Sequence, residues 1–122
     1  MEEGGIIPDE AKILLVSTDL QARVRLEAAL GAQVVTRRPQ QSPGELRPEL
    51  VVLDLDQLGA EDAARWAEAV RAQASPRVVG FFSHVDEGLG DHARELGIET
   101  FRRGRFWRSA REILAAPGEP AS

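Results

Sequence analysis

The residues best suited by type to chemistry are oxygen-bearing side chains that end apolar runs. Leu50-Val51-Val52-Leu53 stops at Asp54, Ile13 to Val16 stops at Ser17-Thr18-Asp19, and Val78 to Phe82 stops at Ser83. A continuous apolar run is the pattern of a strand buried on both faces, and the carboxyl ends of such strands open onto the crevice where open α/β sheets take ligands. Side by side, the three ends bring one buried-strand carboxylate and several hydroxyls to a single crevice. Other chemistries lack their parts. Ser83-His84 beside Asp86 has no flanking elbow glycines for a nucleophile. Ser17-Thr18-Asp19-Leu20 contains no glycine with which to cradle a dinucleotide or flavin phosphate. No run of residues has metal-ligand spacing, so neither a metal nor a cofactor is expected.

These three strands need others to carry them. Leu20 to Leu30 reads as a helix, with i,i+4 pairs Leu20/Val24 and Leu26/Leu30 and Gly31 at its end. Asp19 is better placed to cap this helix than to bind a metal. Gln33 to Thr36 reads as a short second strand. Pro39, Pro43, Gly44 and Pro48 then leave room for about one helical turn at most, a reduced second helix. Ala63, Trp66, Ala67, Val70 and Ala74 mark one face of a helix that stops before Pro76. Asp86 caps a helix whose Leu89, Ala93 and Leu96 face inward, with His92 on its surface, and Gly97 closes it. Ile98 to Phe101 is a fifth strand, and a last helix turns Phe106, Ala110, Ile113 and Leu114 inward. Strands alternating with crossovers predict an α/β fold: a flavodoxin-like, doubly wound, five-stranded parallel sheet in the order 2-1-3-4-5. In that order the first and third strands flank the switch point, where Ser17, Thr18, Asp19 and Asp54 stand.

A chain of 122 residues with no cysteine is long enough for one domain without disulfide staples. Residues 1–11 read as an N-terminal extension, 12–115 as the domain and 116–122 as a flexible tail. The amino terminus lacks a signal peptide's basic segment and apolar core, and no apolar run approaches the ~20 residues of a membrane span. A cytoplasmic protein with no membrane insertion is the expectation. Its net charge of -5 disfavours nucleic acid as a partner. The charge is uneven, however: Arg102 to Arg111 holds five arginines and no acid, +5, which leaves -10 for the remainder.

At these residues the chain resembles the receiver domain of two-component response regulators, of the chemotaxis type, from about Lys12 to Leu114. Lys12-Ile13-Leu14-Leu15-Val16 looks like the first receiver strand, Pro48 to Asp54 the third, and Gly97 to Phe106 the fifth with its trailing loop. The resemblance implies a phosphoacceptor at Asp54 and a phosphate-contacting hydroxyl at Ser83. It also implies an acid pair where Ser17 and Thr18 stand, and a lysine where Gly104 stands, with Arg103 beside it if the alignment slips by one. Leu55-Asp56-Gln57-Leu58-Gly59 lacks the family's Met-Pro and shortens the loop. Placing a phosphoryl group on an ionised aspartate needs a divalent cation to offset repulsion, and hydroxyls in place of carboxylates remove most of its binding. The expectation is a degenerate, non-enzymatic pseudo-receiver. A phosphorylatable regulator accepting phosphate at Asp54 is one alternative, and a small-ligand or nucleotide binder at the strand 1/strand 3 crevice is another.

A receiver fold without that chemistry acts by binding. The resemblance implies a docking or dimerising face made by the fourth crossover helix, the fifth strand and the last helix. Arg102, Arg103, Arg105, Trp107, Arg108 and Arg111 fall on or near it. Trp107 lies about 100° from Phe106 around a helix, at the edge of the apolar stripe, and an edge Trp among arginines has the composition of a protein-interface hot spot. The expected partner is another protein, or a second copy through the same face.

Overall fold

The computed structural model describes residues 12–72, 74–83 and 87–115. The expected extension and tail, His84 and the Asp86 cap lie outside the described residues. Ten elements follow in order: β1 Ile13–Val16, α1 Leu20–Leu30, β2 Val35–Arg37, β3 Leu50–Asp54 and α2 Leu55–Arg71, then β4 Arg77–Phe82, α3 Glu87–Glu95, β5 Glu99–Arg102, α4 Arg103–Arg108 and α5 Ala110–Ala115. The strands form one sheet in the order β2-β1-β3-β4-β5, every pair parallel. Val16 lies level with Leu53, and Asp54 with Phe81, so the strand ends carrying polar groups do meet at one edge.

Strand alternation divides the core in two. Leu14, Val16, Val51 and Leu53 pack on one face beneath α2 and α3, around a fully buried Trp66. Leu15, Val52, Val79 and Phe81 pack on the other beneath α1, α4 and α5, around Phe106. The Phe81 and Phe106 rings stack 5.0 Å apart.

Four local results refine the expected elements. First, α1 turns Ala22 and Leu26 to the sheet and leaves Leu20 and Val24 73 % and 62 % exposed. The expected Leu20/Val24 pair is therefore on the outer face. The sequence carries two stripes, and the one formed by Ala22, Leu26, Ala29 and Leu30 runs over more turns and is the one that packs. Asp19 does cap the helix, accepting from the Gln21 amide at 2.9 Å.

Second, the crossover from β2 to β3 contains no helical residue, so the reduction of the second helix is complete. Pro39, Pro43 and Pro48 are buried in it. Prolines bring no amide that needs a partner, which lets an irregular segment lie against the core. α2 straps it down: the Trp66 indole N–H donates to the Pro39 carbonyl at 2.8 Å, and Arg65 donates to the carbonyls of Pro39 and Gln41.

Third, α2 begins directly at Leu55, where a loop was expected. Gly59, at φ 73° and ψ 179°, interrupts it after one turn, a conformation open to glycine. Leu55 can sit so close to the sheet because β4 has Gly80 beneath it: a Cβ there would stand 2.7 Å from Leu55 Cδ1.

Fourth, the last helix is two short ones broken at Ser109, whose φ of -123° and ψ of 24° are not helical. Phe106, Ala110 and Leu114 still share the buried side.

Candidate functional site

The direct starts of α2 after β3 and of α4 after β5 decide the site. With no loop after Asp54, the first turn of α2 holds Asp56 and Gln57 over the strand ends. With no loop after Arg102, Arg103 opens α4 level with them. Asp54 is only 1 % exposed. Its Oδ2 accepts from Ser17 Oγ at 2.9 Å, and that hydroxyl oxygen accepts in turn from the Asp19 amide at 3.0 Å. Its Oδ1 accepts from Arg103 Nη2 at 3.0 Å.

The same Arg103 nitrogen donates to Asp56 Oδ2 at 2.9 Å. Asp56 also accepts from the Ser83 amide at 2.9 Å and the Ser83 hydroxyl at 2.8 Å. One guanidinium thus joins two carboxylates, and the second carboxylate joins the end of β4. The guanidinium carbon lies 4.7 Å from the centre of the Phe81 ring, which holds it from below.

The two acids respond differently. Burial pushes the Asp54 carboxyl above its ordinary pKa against the opposing pull of the Ser17 hydroxyl and Arg103, and Asp56 adds repulsion. Burial acts on Asp56 too, but the Ser83 amide, Arg103 and the Ser83 hydroxyl together outweigh it and hold its carboxyl below the usual range.

Of the residues singled out by sequence, Asp54 and Ser17 touch, and Ser83 joins them through Asp56. Thr18 is exposed and turned aside, its amide and hydroxyl donating to Gln57 Oε1 at 2.9 and 3.2 Å. Gly104 is exposed, with nothing within 4 Å of where a Cβ would stand, and it is the preceding residue, Arg103, that reaches the carboxylates. Asp56 and Gln57 escaped sequence reading, because treating 55–59 as a shortened loop hid the fact that one helical turn aims both at the crevice.

The arginine segment does not form a single face. Arg103 points inward. Arg102 lies over Phe82 and Arg105 over Phe101, astride the edge strand β5. Trp107 is half-buried toward α1, packed on Phe81 and Phe106 at 5.3 and 4.9 Å with Arg25 over its ring. Arg108 is exposed beside it, while Arg111 donates to the Ala29 carbonyl of α1 at 3.3 Å.

The resemblance implies a divalent cation at such a crevice, and the donor set does not fit one. Among the described residues no three of His, Cys, Asp or Glu stand together to hold a metal ion. The two carboxylates that are present are both bonded to Arg103.

No known family model matches the chain, and no curated protein matches it. Among solved structures, the ChxR receiver domain of Chlamydia trachomatis is similar: 19 % identical, with 84 % of this chain and 91 % of that one covered, at a TM-score of 0.58. With this sheet order and this structural neighbour, the chain has the fold of a receiver domain.

Proposed function

We propose that the chain is a non-enzymatic signalling module, a cytoplasmic pseudo-receiver that does not take phosphate and acts by binding another protein. The observation that carries this reading is the bridge from Arg103 to Asp54 and Asp56. In-line transfer to Asp54 needs a free carboxylate oxygen and a cation between it and the incoming phosphoryl group. Here Oδ1 and Oδ2 are both bonded within the protein, and the nearest positive charge is a fixed guanidinium already shared by two acids. No helix among the described residues is long and apolar enough to cross a membrane.

Binding is assigned to the side of the molecule made by α3, β5 and α4. Arg102 and Arg105 are exposed there astride β5, and Arg108 and the half-buried Trp107 extend the surface toward α1, a combination of aromatic and guanidinium groups that favours protein contact or self-association.

The test is a titration with magnesium and beryllofluoride followed by amide chemical shifts, with mass measurement after incubation in acetyl phosphate. The expected result is unchanged shifts at Asp54 and Ser83 at millimolar ligand and no added mass. A phosphoryl adduct that disappears in Asp54→Asn would sink the reading and establish a phosphorylated switch.

A further inference from the structure

Beside the Asp54 crevice, and sharing Ser83 and Arg103 with it as lining, a groove of about 730 Å³ opens between α1 and α4 at the carboxyl end of the sheet. Arg25 comes from α1, Arg102 from the end of β5, and Arg105 and Arg108 from successive turns of α4, with Trp107 between them. Among the described residues, Arg25, Arg105 and Arg108 have no acid within ion-pairing distance. What sets this groove apart is that its lining gathers five arginines and no acid, in a chain with 20 acids against 15 lysines and arginines. Like charges gathered around one concavity repel, and an anion seated among them relieves that repulsion.

The groove also says what kind of anion. Guanidinium groups match the geometry of phosphate oxygens in pairs, and several converging from three elements suit a ligand with more than one phosphate. Gly104 contributes no side chain, and a Cβ there would meet nothing within 4 Å, so the groove is open at its centre. No face is offered for a base to stack on. Trp107 is covered by Arg25 at 5.5 Å and packed against Phe81 and Phe106. The phosphates must then carry the recognition, whatever they are attached to.

We infer that the groove between α1 and α4 binds a small ligand through a diphosphate or longer phosphate chain held by Arg25, Arg105 and Arg108. This goes beyond the protein-binding role proposed above and is measured on the chain alone, so its failure leaves that role standing.

The two tryptophans make the test. Trp107 lines the groove, whereas the indole N–H of Trp66 is buried on the opposite face of the sheet, bonded to Pro39. Inorganic pyrophosphate and tripolyphosphate are titrated against the intact chain while both indole resonances are followed. The expected result is a saturating shift of Trp107 at sub-millimolar probe with Trp66 unmoved, weakened at least tenfold in Arg105→Gln/Arg108→Gln. Because both arginines are exposed, that variant keeps its fold, which an unchanged Trp66 resonance verifies. Binding should weaken steeply with salt, since the contacts are between exposed charges. A Trp107 resonance unmoved by millimolar pyrophosphate overturns the inference, as does equal binding by the double variant. A polyglutamate peptide of matched charge that shifts Trp107 as strongly also overturns it, assigning the groove to an acidic polypeptide.

Discussion

Two arginines tie the sheet to the last helices at its opposite ends, and they do so at different cost. Arg77, at the start of β4, grips Glu99 on β5 with two parallel bonds of 2.8 and 2.9 Å and donates to the Ile113 carbonyl of α5 at 3.0 Å. Arg103, at the other end, grips Asp54 and Asp56. The Arg77 side chain is 17 % exposed and its partner Glu99 40 %, whereas the Arg103 side chain is 34 % exposed and its partner Asp54 1 %. At the Arg77 end the cation is the more buried member, and water can reach the acid. At the Arg103 end the acid is the more buried member, shut off from water, with Arg103 as the cation bonded to it. A bidentate guanidinium–carboxylate pair is thus a clamp in one place, and one nitrogen shared between two acids is a charge neutraliser in the other.

Removing the cation at each end should expose that difference. Arg103→Ala leaves a buried carboxylate without its cation and should cost about 3 kcal/mol at neutral pH, seen as a fall of about 10 °C in the thermal midpoint. The loss should fade in mild acid. A carboxyl whose folded pKa lies above its unfolded value binds a proton on folding, so stability falls as pH rises through the window between the two and recovers below it. Asp54 is already shifted upward, and losing Arg103 widens its window. A penalty that stays constant from pH 7 to pH 4.5 would break the comparison.

Arg77→Ala should cost about 1.5 kcal/mol, because Glu99 returns to water while the α5 carbonyls lose a donor. Hydrogen exchange should quicken in α5 ahead of the rest of the sheet. Asp56→Asn should cost about 1 kcal/mol at neutral pH, the value of charge-assisted bonds near the surface. The folded pKa of Asp56 is lowered, so its contribution is complete above the unfolded value of about 3.9 and is lost as pH falls through the folded one. Urea unfolding at pH 7 and pH 3 should show the variant and the parent chain converging in acid.

Asp54→Asn should change least, within about 0.5 kcal/mol, since it removes a desolvated charge while Arg103 keeps Asp56. Chemical denaturation of this variant sharpens the contrast: a large loss would mean that the buried carboxylate stabilises the fold rather than being tolerated by it.

Much of this was legible in the chain. The apolar runs ending at Val16, Asp54 and Phe82 located three strands and the crevice they share, and the prolines between 39 and 48 foretold a reduced second helix, though not its complete loss. What stayed hidden depended on orientation or on distance along the chain. Leu20/Val24 and Ala22/Leu26 are both sound helical stripes, and only the sheet beneath decides between them. Arg103 is 49 residues from Asp54 and 47 from Asp56, pairings that no local pattern encodes. The break at Ser109 is one that no propensity at that residue announces, since Phe106 and Ala110 would share a face of an unbroken helix too.

The strap over β2 has a dynamic consequence. A helix in that place would fray turn by turn, each residue held by its own amide bonds. The segment from Arg38 to Glu49 is instead pinned at Pro39 and Gln41 by two adjacent side chains, Arg65 and Trp66, and it directly follows an edge strand of three residues. Loss of those pins releases the strap and β2 together, as one cooperative unit. That opening leaves β1, β3 and β4 paired, so this flank of the molecule can breathe while the Asp54–Arg103–Asp56 bridge on the neighbouring strands stays shut.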